Sequence, residues 1–132
     1  MTSKENRIEV VFRVAGSASQ IAVFATGVLG VDGRATLRPP AISVGTMPEA
    51  WWAFEVVRED QESTEPVIAQ ALATADANLE IRKAASNGLI IELDCTIEID
   101  ATRPVIEVSK ESIRRLADLG ASLGFEVHDY RE

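Results

Sequence analysis

Four carboxylates crowd one short stretch of the chain: Glu92, Asp94, Glu98 and Asp100 within LIIELDCTIEID, residues 89–100. Ile91, Leu93, Cys95, Ile97 and Ile99 alternate with them, so a strand here is apolar on one side and acidic on the other. Carboxylates in such a row could share a cation, work as an acid/base pair, meet a basic partner, or face water. A cation is the weakest of these. Residues i and i+2 on one strand face lie about 6.6–7 Å apart, so other strands would have to supply further ligands. Calcium takes its oxygens from a curved loop, and no D-x-D-x-D-G spacing occurs. Transition metals favour His and Cys, of which the chain has one each. Neither a metal nor another cofactor is expected.

Acid/base work needs one carboxyl with a raised pKa, hence a pocket and partial burial, which an open sheet face does not provide. The sequence has no glycine-rich phosphate loop, nucleophile elbow or histidine-led triad. His128 with Cys95 is a conceivable dyad. Cys95, however, falls on the apolar side of its strand and reads as core, and His128 reads as a surface residue. No catalytic residue is nominated, and the chain is expected not to be an enzyme.

A second group of interest lies in VDGRATLRPPAISVGTMPEA, residues 31–50, where three prolines and two glycines leave no period. Long loops in small domains often carry function. Arg34 and Arg38, with Trp51 just beyond, could hold an anionic or planar ligand. In a strand, Trp51 and Trp52 face opposite ways. One joins the core; the other is a binding anchor or is covered by the loop.

Totals bound the alternatives. With 132 residues, 46% hydrophobic and 26% charged, the chain suits one soluble domain spanning 1–132. The net charge is −8. Residues 1–50 carry five basic and four acidic side chains, and residues 51–132 carry eight and seventeen. A negative field of this kind disfavours nucleic acid and anionic membranes and favours a basic protein partner, or simply solubility. The single cysteine, the lack of an apolar core in MTSKENRIEV and the lack of a span of about 18 apolar residues point to the cytoplasm.

The spacing predicts a strand over 7–16 and a helix over 17–30, capped by Ser17 or Ser19, with Ile21, Phe24, Ala25, Val28 and Leu29 as its stripe. A short strand near Ala41–Val44 could interrupt the loop. A strand over 51–59 is followed by a helix that Ser63 or Thr64 caps and Pro66 starts, and by a second short helix over 78–88. The acidic strand then turns at ATRP into a strand over 105–109, which predicts an antiparallel hairpin. Ser109 caps a helix over 110–124, and FEVHDY, 125–130, closes the chain as a strand. The fold class is α+β: a two-layer sandwich with a mostly antiparallel sheet and helices on one face, a ferredoxin-like variant of order β-α-β-α-β-β-α-β. The acidic row then lies on the open face. If the first strand sits beside it, Arg7 and Arg13 form cross-strand pairs with it.

PVIEVSKESIRRLADLGASLGFEVHDY resembles the end of a bacterial family, domain of unknown function 4279. That family closes with a strand, a serine-capped L-A-x-L-G-A-x-L helix, and a short strand finishing in Asp-x-Tyr, a spacing that is tightened to Asp-Tyr in this chain. The helix motif is matched by Leu116, Ala117, Leu119, Gly120, Ala121 and Leu123, and the ending by Asp129-Tyr130. VLGV (28–31), a loop and WWAFEV (51–56) resemble an earlier part of it. The resemblance implies an immunity-type protein beside a secreted toxin, and brings no catalytic residue.

The combined expectation is a non-catalytic binding module, monomer or homodimer, that sequesters a basic toxin domain such as a nuclease. Its contacts would be Glu92, Asp94, Glu98, Asp100 and Trp51. The alternative is a small-molecule-binding domain using Arg34 and Arg38, or a regulatory homo-oligomeric domain that pairs through a short edge strand at 125–130 or 51–57.

Overall fold

A computed structural model of the chain describes residues 5–28, 30–37 and 50–131. Strand β1 (Arg7–Gly16) alternates from Arg7 to Val14, burying Ile8, Val10, Phe12 and Val14, and buries Ala15 as well at its end. Helix α1 (Ala18–Gly27) starts in a capping box: Ser17 Oγ accepts from the Gln20 amide at 3.2 Å, and Gln20 Oε1 accepts from the Ser17 amide at 2.9 Å. A four-residue strand, β2 (Arg34–Leu37), precedes β3 (Ala50–Glu59). Helix α2 (Glu65–Asp76) buries Val67, Ile68, Ala71, Leu72 and Ala75, and α3 (Leu79–Lys83) runs into a 3-10 turn that Gly88 ends at φ +85°. The last elements are β4 (Ile90–Ile99), α4 (Lys110–Leu119) and β5 (Ala121–Asp129).

The sheet order is β2-β3-β1-β4-β5. Its first three pairings are antiparallel, and β4 with β5 is parallel. The helices cover one face, which makes the two-layer α+β sandwich expected from the sequence. The core lies between the layers. Phe12 stacks on Phe54 with centroids 5.2 Å apart, and Trp52 meets Phe24 and Phe54 edge-on at 5.3 and 5.8 Å. Gly33 crosses directly over Trp52; a Cβ there would stand 2.1 Å from the indole.

The expected hairpin between 89–100 and 105–109 is not formed. Both sides of β4 are occupied, by β1 and by β5. The turn after β4 is tied back to the start of β1: Asn6 Oδ1 accepts from the Asp100 and Ala101 amides, both at 3.0 Å, and Asn6 Nδ2 donates to the Thr102 carbonyl. The following segment docks on the start of α2 instead. Val105 bridges Ser63, and the buried Thr64 hydroxyl donates to the Glu107 carbonyl at 2.8 Å and receives its amide at 2.9 Å. Thr64 is thus turned away from capping α2. Glu65 of α2 accepts from the Ser109 amide at 2.7 Å and the Ser112 hydroxyl at 3.2 Å, which seats α4 beside α2.

Three boundaries also move. Helix α1 ends at Gly27 with Val28 as its cap, and not at residue 30. Helix α4 stops at Gly120, which adopts φ +70°, and not at Gly124; residues 121–124 begin β5. A strand occupies 34–37 within the expected loop, while the strand expected at 41–44 and residue Leu29 lie outside the described residues.

Candidate functional site: the outer face of the sheet

Alternation carries the acidic strand through the fold as its pattern demands. In β4 every apolar residue from Ile91 to Ile99 is buried beneath the helices, while Glu92, Asp94, Thr96 and Glu98 are half-buried on the opposite face. The strand is interior to the sheet, and its neighbour β1 presents two arginines. Register sets Arg7 opposite Glu98 and Arg13 opposite Glu92. Arg7 lies 3.0 Å from Glu9 and 3.7 Å from Glu98; Arg13 lies 3.2 Å from Asp94 and 3.7 Å from Glu92. The cross-strand pairing anticipated from Arg7 and Arg13 is present. Asp100 lies past the strand end, in the turn whose amides Asn6 holds.

Among the described residues, carboxylates still outnumber cations on this face. The register places Glu9 on β1, Glu55 and Glu59 on β3, Glu92, Asp94 and Glu98 on β4, and Glu126 on β5, against Arg7, Arg13 and Arg34. Trp51 is half-buried there, opposite Ala15 and Thr36, with the Arg13 guanidinium 5.9 Å from its ring centroid. Trp52 is the core member of the pair, 2% exposed. Next to Arg13, a shallow depression of about 590 Å³ opens between Glu9, Asp94, Thr96 and Glu126, where Gly124 of β5 leaves space beside Asp94.

The proposed alternative site divides. Arg34 lines a depression of about 680 Å³ with Asp32, Glu55, Gln70 and Thr74, where β3 runs past the end of β2. Trp51 is not part of that lining, and Arg38 lies outside the described residues.

Cys95 and His128 do not meet. Cys95 points into the core, 1% exposed, and burial pushes its thiol up to about 11. His128 shares the outer face with Glu98, its Nε2 3.2 Å from Glu126 and its ring stacked on Tyr130. Among the described residues, no group of three or more His, Cys, Asp or Glu side chains is placed to hold a metal ion, and no helix is long and apolar enough to cross a membrane.

One feature escaped the sequence reading. Phe125 and Val127 of β5 sit on the helix-side face yet are 42% and 40% exposed. Their place in the closing strand was legible; that the helix layer leaves them uncovered was not.

The arrangement defines a class: a two-layer α+β sandwich with one acidic sheet face turned outward. Within that class the chain belongs to a named family, Domain of unknown function (DUF4279), whose pattern matches residues 37–130. The match runs from the end of β2 through β5 and leaves β1 and α1 outside it. Neither the curated proteins nor the solved structures gave a match.

Proposed function

We propose that the chain is a protein-binding module whose outer sheet face receives a basic partner, in the manner of an immunity-type protein that sequesters a basic toxin in the cytoplasm. The observation that carries this reading is the excess of carboxylates on that face after Arg7 and Arg13 have taken their pairs. A rigid sheet holds these charges at fixed spacing, so a complementary cationic surface loses little entropy in meeting them. Trp51 supports the reading as a flat apolar anchor within the charged field.

The test captures basic proteins from the source lysate and measures association rates at low and moderate salt. Reversal of the acidic row to lysine would set like charges against Arg7 and Arg13, so Glu92→Gln, Asp94→Asn and Glu98→Gln are the cleaner changes. The expected result is one basic protein whose association slows with salt and slows by about tenfold in the triple variant. A partner whose rate ignores both salt and the triple variant would remove the acidic row from recognition.

A further inference from the structure

The two edges of the sheet are unlike. One ends in β2, four residues long, and the part of β3 that runs past it carries Glu55, Arg58 and Glu59. A short edge with charges beside it is how soluble proteins discourage strand pairing. The other edge is β5, nine residues long and spanning about 30 Å. Among the described residues β5 pairs only with β4, so alternate N–H and C=O groups face outward along it. It contains no proline or lysine, and it exposes Phe125 and Val127.

We propose that this edge pairs with the β5 edge of a second copy, antiparallel about a two-fold axis at Phe125, and joins two five-stranded sheets into one of ten. The sequence of the strand is the argument. Residues opposite one another in an antiparallel pair lie on the same face, so the axis must pass through a residue and not between two. Phe125 is the midpoint of Ala121–Asp129. With the axis there, Phe125 meets its own copy and Leu123 faces the partner's Val127, which puts the exposed apolar atoms together. Glu126, His128 and Asp129 all lie in the second half of the strand. They therefore fall opposite Gly124, Ser122 and Ala121 of the second copy, and no like charges oppose. An axis at Glu126 would set carboxylate against carboxylate. An axis at Gly124 would leave His128 and Asp129 beyond the paired strands. The inference rests on the free backbone edge and on the helix-side Phe125 and Val127, not on the acidic row of β4; Glu126 is the one β5 residue that also belongs to the carboxylates of the outer face.

Sedimentation across a concentration series, up to about 1 mM, is the first test. The expected result is a reversible monomer–dimer equilibrium, with Phe125→Lys weakening association by about 100-fold through two lysines at the axis. Phe125 is 42% exposed, so the substitution leaves the core intact, and an unchanged melting curve verifies this. A second variant reads the register: with Phe125→Cys, mild oxidation yields a disulfide-linked dimer across the axis, because opposed Cα atoms stand about 4.5–5.5 Å apart. A wild type that stays monomeric throughout overturns the proposal. So does a dimer that Phe125→Lys leaves intact, or one that Phe125→Cys does not crosslink.

Discussion

Replacing Arg13 by methionine tests whether the acidic row is held in place by β1 or merely tolerated. The substitution keeps a long apolar stem over the sheet and removes the guanidinium that lies 3.2 Å from Asp94 and 3.7 Å from Glu92. At about 4 Å a pair of unit charges in water attracts by about 1 kcal/mol. Here the three side chains are 35–45% exposed, so screening and side-chain entropy reduce each pair to about 0.2–1 kcal/mol. Two pairs lost, with two carboxylates left facing each other, give about 0.5–2 kcal/mol of destabilisation. Arg7→Met removes a similar set with Glu9 and Glu98. Six residues along an extended strand separate the two arginines by about 20 Å, so their effects are expected to add. The sharper readout is the slope of the salt dependence in urea unfolding. In the wild type added salt screens the Arg7 and Arg13 attractions together with the repulsion of a chain of net charge −8, and the two effects partly offset. In the double variant only the repulsion is left to screen, so salt raises its stability more steeply. A double variant that unfolds at the wild-type midpoint, with the same salt slope, would refute the claim that β1 neutralises the row.

The buried Thr64 hydroxyl is expected to hold the 105–108 segment on the start of α2. Thr64→Val keeps the shape, strands both partners on Glu107 and costs about 1–3 kcal/mol, with hydrogen exchange at the Glu107 amide accelerated; unaltered protection there would count against this role. Burial raises the Cys95 thiol from 9.0 to about 11, so the folded state favours the neutral form. The associated stability is complete below pH 9.0 and lost as pH rises toward about 11. Alkylation of native protein is accordingly expected only through unfolding, and rapid labelling of the folded chain at neutral pH would contradict the buried placement.

Strands with one wet face were the most legible part of the fold. The alternation in β1 and β4 encodes both the buried side and the acidic side, and Arg7 and Arg13 already indicated which strand would lie beside the row. The hairpin failed for a reason that no local pattern reveals. VIEVS has the composition of a strand, but the sheet position it would take belongs to β5, and a turn held by Asn6 sends the segment to Thr64 instead. Partners 43 and 96 residues away in sequence decided that outcome. The end of α4 failed locally. LGASLG offers two glycines, and only the left-handed conformation at Gly120 shows which one stops the helix. Of the nominated contacts, Glu92, Asp94, Glu98 and Trp51 share one face because they obey strand periodicity; Arg34 shares that face by register but lines a depression at the β2–β3 edge that Trp51 does not join.

That division bears on how a partner would read this surface. A row of carboxylates is a strong electrostatic signal only while nothing nearby cancels it. Here β1 takes two arginines into the row, and Arg13 also leans over Trp51. A cationic partner side chain that approaches Asp94 must therefore compete with Arg13, and success would release the guanidinium toward the indole. Carboxylates away from the two arginines carry no such competition from β1. Glu55 on β3 and Glu126 on β5, both exposed, flank the row on either side, Glu126 with His128 Nε2 3.2 Å away. The outer face thus offers its more exposed charge at the flanks and its geometric order at the centre. A basic surface that spans several strands gains from both, whereas a single basic loop laid along β4 gains mainly what Arg7 and Arg13 already supply.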